Sequence, residues 1–222
     1  MSDARTRQLL RDAEHGDLEA EVRALQARLR DSDLPEERLR LAAYLGHEAS
    51  RHALAQPPEP AAAIQGWIRE LDQHDDGVLA GVRCAICAAQ VLLPLWDVVR
   101  PNDDRPALIV RAAANWALDP SPELAHASRV SLTSRTDGVE ELVLAFRLVA
   151  SVAAFADSAL WGSDRRALFL AASTVSLAAQ LASETRVRRA IGRHVGAWAL
   201  GADPLPRHLA AGLWPARPLE ED

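Results

Sequence analysis

The chain has 222 residues, 49% of them hydrophobic and 25% charged. That length fits one domain, or one domain with a small N-terminal module, and it buries a core without staples. A net charge of −6 argues against a general nucleic-acid binder, which needs a basic face.

All 25 basic residues are arginine. Six of the few aromatic residues are tryptophan, beside one tyrosine. Alanine is abundant, so helices can approach closely and tryptophan fills the larger gaps. The polar start, Met1 to Gln8, lacks the apolar stretch of a signal peptide. Two cysteines without an export signal fit a reducing compartment, and a cytoplasmic location is expected. The most apolar stretches, near 78–99 and 142–160, carry Arg83, Gln90 and Asp97, and Arg147 and Asp157. They read as buried helices rather than membrane spans.

In chain order, residues 4–14 carry Leu9, Leu10 and Ala13 at helical spacing, closed by Gly16. Asp17 caps a second helix with Leu18, Val22, Leu25 and Leu29 in one stripe. Pro35 opens a third, with Leu39, Ala42 and Ala43 toward the core. Gly46 ends it, and 47–55 forms a short fourth helix. Tight Gly and Pro turns between such elements suggest helical hairpins, without a strict repeat period. Gln56-Pro-Pro-Glu-Pro60 forbids a continuous helix and marks a module boundary.

Ile64, Trp67, Ile68 and Leu71 form the apolar face of a helix over 61–73, followed by the turn His74–Gly77. The stretch from 78 to 99 is apolar nearly all round, which marks a buried helix around which the others pack. Pro94 should kink it. Pro101–Pro106 is a polar loop in which Asp103 or Asp104 caps the next helix and Pro106 occupies its first turn. That helix places Leu108, Ile109, Ala112 and Trp116 inward. A weaker helix covers 122–133, and Ser134–Gly138 is a polar break.

Leu142, Val143, Phe146, Val149 and Phe155 point inward from a helix over 139–160, stopped by Trp161-Gly162. Ser163 or Asp164 caps a helix to 182. A last helix, 184–200, has Val187, Ile191, Val195 and Trp198 on one face and Arg186, Arg189 and Arg193 on the opposite face. Prolines 204, 206, 215 and 218 make the tail 203–222 irregular. Strand-like alternation is lacking, so an all-α fold is expected. It is read as a compact array of about ten helices, hairpins packed into a HEAT-like bundle. The domain layout is a 1–55 hairpin module, a 61–202 Ala-rich bundle and a 203–222 tail.

Cys84-Ala-Ile-Cys87 has redox-pair spacing but lacks the exposed helix start of a βαβ context, and no second Cys pair completes a zinc site. Both thiols read as small packed apolar groups. His47 and His52, in Gly46–His52, stand five residues apart, about 140° around a helix of 3.6 residues per turn, so they do not share a metal. His47 caps or packs at the hairpin and His52 faces solvent. The Arg186/Arg189/Arg193 face reads as solvated, with an acidic partner as the alternative. Glu140-Glu141 and Glu220–Asp222 read as solvated acidic ends. There is no phosphate loop, nucleophile elbow or carboxylate di-iron set, so no catalytic residue, cofactor or metal is assigned. Asp103, Asp104 and Arg105 form a compact charged turn: helix capping on the bland reading, an exposed contact site on the functional one.

From Arg83 onward the chain resembles bacterial immunity proteins of the immunity-protein-5-like group. The residues that carry it are Cys84, Ala88-Ala89, Val91, Leu93-Pro94-Leu95-Trp96-Asp97, Pro101-Asn102-Asp103-Asp104-Arg105-Pro106, Ile109, Ala112–Ala114 and Trp116. The likeness covers about 78–118 and fades into a general Ala-rich pattern to about 200. Asn102 stands where the family pattern has an acid, and Ala107 where a basic residue follows the proline. Residues 1–55, with Ala13–Asp17 and Leu41–His47, resemble an uncharacterised myxobacterial-type module that implies no activity.

The resemblance implies a non-enzymatic protein that binds and occludes a cognate toxin, with a protein partner and neither nucleic acid nor membrane. Asp103, Asp104, Arg105 and an exposed Trp, taken as Trp96, are the expected anchors, since Trp and Arg dominate interface energetics. A helical scaffold or adaptor is the alternative, and a small-ligand binder a further one.

Overall fold

The computed structural model describes residues 17–119, 140–156 and 163–201. The expected helices 4–14 and 122–133, the break 134–138, the Trp161-Gly162 stop and the 203–222 tail lie outside them, as does the side chain of Phe155. Every regular element among the described residues is helical.

We number them α1 (Leu18–Arg30), α2 (Glu36–Tyr44), α3 (Glu48–Ala53) and α4 (Ile64–Arg69), the last extended by a 3₁₀ turn, Glu70–Gln73. Then come α5 (Gly77–Val99), α6 (Arg105–Leu118) and α7 (Glu140–Ala156). The last, α8, runs as Ser163–Ala178, Ala179–Ser183, Glu184–Ile191, Gly192–Gly196 and Ala197–Ala199. These are eight helices, not about ten. The expected stop between 182 and 184 is absent. Ala179–Ser183 and Gly192–Gly196 are π turns, whose wider loops absorb an extra residue without breaking the helix.

Two units divide the chain, one holding 17–60 and 191–201, the other 61–119, 140–156 and 163–190. The sequence places 191–201 in the C-terminal bundle, whereas the fold groups it with the N-terminal hairpins. Two glycines permit this. A Cβ on Gly192 would stand 3.0 Å from the Gly46 carbonyl oxygen, and one on Gly196 2.9 Å from His47 Cβ. Only bare backbone fits there.

Within this smaller unit, the Asp17 carboxylate accepts from the Glu19 and Ala20 amides at 3.0 and 3.2 Å and starts α1 as expected. The buried face of α1 is Ala20, Ala24, Leu25 and Ala27. The expected Leu18, Val22 and Leu29 are half-buried instead. Small alanines let α1 lie close against α3, and the leucines flank the seam. Arg28 donates to the Leu200 carbonyl at 2.9 Å, satisfying a helix-end acceptor. The Arg38 guanidinium lies 5.0 Å over the Trp198 ring.

In the larger unit α5 packs against α6, α7, α8 and the 3₁₀ turn. It is buried without interruption from Ala80 to Leu93. Burying each large apolar side chain is worth roughly 1.5–3 kcal/mol, so this helix dominates the unit's core. Pro94 lies inside it without ending it. Ile64, Trp67, Ile68 and Leu71 are buried as expected. On α6 the inner residues are Pro106, Ile109, Val110, Ala113, Ala114, Trp116 and Ala117, while Leu108 is exposed and Ala112 half-buried. The true stripe is rotated by about one residue from the expected one. Arg83, buried in α5, donates to the Ala117 carbonyl at 2.8 Å and so caps the end of α6.

Two helices, Gly77–Val99 and Asp164–Ala199, are long and apolar enough to cross a membrane by length and composition. The protein buries 78% of the first apolar window, which is what a core helix requires.

Candidate functional site

The charged turn follows from how α5 ends. The Arg100 amide donates to the Trp96 carbonyl at 2.7 Å, and the Asp103 amide to the Arg100 carbonyl at 3.2 Å. Between them Asn102 adopts a left-handed conformation, φ 71°, which a short polar side chain tolerates. The chain thereby reverses, and Pro106 sits in the first turn of α6.

Asp103 holds the turn closed. Arg105 donates through Nε to Oδ1 at 2.7 Å and through a terminal nitrogen to Oδ2 at 2.6 Å. The Arg105 amide adds a bond to Oδ1 at 3.3 Å. This two-toothed pairing fixes both side chains. The hydrogen bonds from Arg105 hold the Asp103 carboxyl below its usual range, and the same pairing raises Arg105. Asp104 is the residue before α6, but its side chain makes no capping bond and is exposed. Of the two expected caps, Asp103 therefore serves, and Asp104 is left to face solvent.

Trp96 is not an exposed anchor. Its relative exposure is 1%, and it stands edge-on to Phe146 with ring centroids 5.9 Å apart. Its indole N–H donates to the Asp103 carbonyl at 2.9 Å, so it supports the turn from inside the core. The exposed large apolar residues nearest the turn in the chain are Val98, 82% exposed, Val99 at the end of α5, and Leu108 on α6. Leu108 lies four residues beyond Asp104, one helical turn away. The sequence reading missed these aliphatic residues. A valine pair just before the proline-and-aspartate loop was the available signal.

A second constellation lies in the smaller unit. The Ser50 hydroxyl is 3.0 Å from His47 Nδ1, and His47 Nε2 is 3.3 Å from a Glu21 oxygen. The order matches a nucleophile, a base and an orienting carboxylate. Ser50 is fully buried, however, so no substrate can reach it. The Ser50 amide also donates to Nδ1 at 3.4 Å, which makes His47 the cap of α3, as the sequence suggested. His52 is exposed.

Cys84 and Cys87 are free and buried. Burial raises both thiols, Cys87 to about 12, so neither forms a reactive thiolate. Among the described residues, no three His, Cys, Asp or Glu are grouped to hold a metal. Arg186 and Arg189 fall in the larger unit and Arg193 in the smaller. The arginine that does engage is Arg188, 4.6 Å over Trp67 and donating to Glu184 and the Ala62 carbonyl.

The fold and this turn define an all-α protein with a hydrogen-bonded, apolar-flanked charged loop on its larger unit. Compared with protein-family models, curated proteins and solved structures, the chain matches none.

Proposed function

We propose that the chain is a non-catalytic recognition protein of the immunity type, which neutralises a toxin in the cytoplasm by covering its active surface. The carrying observation is the turn itself: Asp104 and Arg105 held on a preformed loop and flanked by outward Val98, Val99 and Leu108. Preorganised loops bind with little ordering cost, and apolar groups around a fixed charge pair give contact area with orientation. Immunity-type resemblance over 78–118, which spans this turn, supplies the choice of a toxin as partner. An adaptor built on hairpins is the second reading, supported by the smaller unit that holds those hairpins together with 191–201.

The test is affinity purification from the native host with Val98→Asp and Arg105→Ala variants. One stoichiometric partner, lost from both folded variants and toxic when expressed without this chain, is the expected result. A partner retained by both variants places the contact elsewhere. A partner harmless on its own removes the immunity reading.

A further inference from the structure

A separate feature of the larger unit has no structural task in the core. Phe169 on α8 is 51% exposed, and it is the one aromatic residue among the exposed large hydrophobics of the described residues. The Arg69 guanidinium, from the last turn of α4, lies 5.1 Å from its ring centroid. Arg165 and Arg166, four and three residues before Phe169, are exposed on the same side of α8. Asp164 points about 140° away from Phe169 at 100° per residue. Among the described residues Arg69 and Arg165 enter no ion pair. A chain of net charge −6 thus sets one exposed ring beneath the Arg69 guanidinium, with Arg165 one helical turn before it on the same side of α8.

Stacking on the ring restricts the Arg69 side chain, so less rotamer freedom is lost when its outer edge meets a carboxylate. The ring itself offers an apolar seat between the charges. We infer that Arg69, Arg165 and Phe169 form a docking surface for an acidic peptide segment carrying apolar side chains. This rests on the reading of the chain as a protein-binding protein, though it uses α4 and α8 rather than the 101–106 turn. A single-stranded nucleic acid also stacks on aromatic residues and seeks arginine. The acidic balance of the whole chain favours the peptide.

The experiment titrates the full chain with a fluorescent peptide of glutamate and leucine, its lysine–leucine counterpart, and a labelled oligothymidylate. The Glu-Leu peptide should bind, weaken as salt is raised, and bind about tenfold more weakly to Arg165→Glu and to Phe169→Ala. Arg105→Ala should leave that binding unchanged. Because the substituted side chains are exposed, unchanged helical signal and melting temperature confirm that the variants are folded. Equal binding of the Lys-Leu peptide, indifference to both variants, or tighter oligonucleotide binding overturns the inference. If the turn's stoichiometric partner is recovered while the Glu-Leu peptide goes unbound, this surface falls and the recognition reading stands.

Discussion

The indole N–H of Trp96 reaches across the α5–α6 turn and donates to the main-chain carbonyl of Asp103 at 2.9 Å. That bond ties a solvent-facing loop to a fully buried ring. Trp96→Phe keeps an aromatic ring but loses the smaller half of the indole and leaves the carbonyl without its donor, so it should cost roughly 1–3 kcal/mol in urea unfolding. Trp96→Ala also opens a cavity beside Phe146, and roughly 3–5 kcal/mol is expected. If the two variants unfold at the same urea concentration, the ring packing is not what supports the turn.

His47 makes the smaller unit sensitive to pH. An amide can only donate, so Nδ1 must be the unprotonated nitrogen of the cap, and Nε2 carries the hydrogen toward Glu21. Burial lowers the His47 pKa, with Glu21 and Glu48 opposing it, and burial lowers His194 with help from Arg193. Both pKa values lie below the unfolded value of about 6.5, so the unfolded chain takes up protons first as pH falls. Stability should be complete above about pH 6.5 and decline below it. His47→Asn keeps a capping acceptor and cannot titrate. It should flatten part of that slope in urea midpoints taken across this range, leaving the His194 share.

Two glycines separate backbone strain from crowding. Gly46 has φ +93° and open space where a Cβ would stand. Gly46→Ala should therefore cost roughly 1–2 kcal/mol through conformation alone. At Gly77 a Cβ would collide with the Leu71 carbonyl oxygen, which is backbone and cannot swing aside. Gly77→Ala should destabilise more than Gly46→Ala by thermal melting. The reverse order would mean the Leu71 turn yields easily.

Cys84 and Cys87 should resist a thiol-specific reagent in the folded chain and react together once it is denatured. Rapid labelling of either under native conditions would show that α5 opens to solvent.

Gln90 sits in the buried run of α5 with its Nε2 buried and unpaired. An unmet donor in the core carries a desolvation cost. Gln90→Met, similar in length, should raise stability by roughly 1 kcal/mol in urea unfolding. A loss instead would show that the amide has a task in the core.

Residues that act within one helix were legible in the sequence. Asp17 as a cap, the Ile64–Leu71 face and the buried 80–93 run depend on local hydrogen bonding and on a period of 3.6, which residue order alone specifies. The turn 101–106 was legible too, since proline, asparagine and aspartate each have a fixed backbone preference. What the side chains of that turn do was not. Whether Trp96 faces solvent depends on where Phe146, fifty residues on, comes to rest. Arg69 meets Phe169, Gly192 admits the 45–46 backbone and Gly196 the His47 side chain, only because distant helices cross at those points. Local pattern determined which residues are helical and which face of most helices is apolar. Only the tertiary structure decided which face meets which, because that choice is made by shape fitting between elements that no local spacing connects.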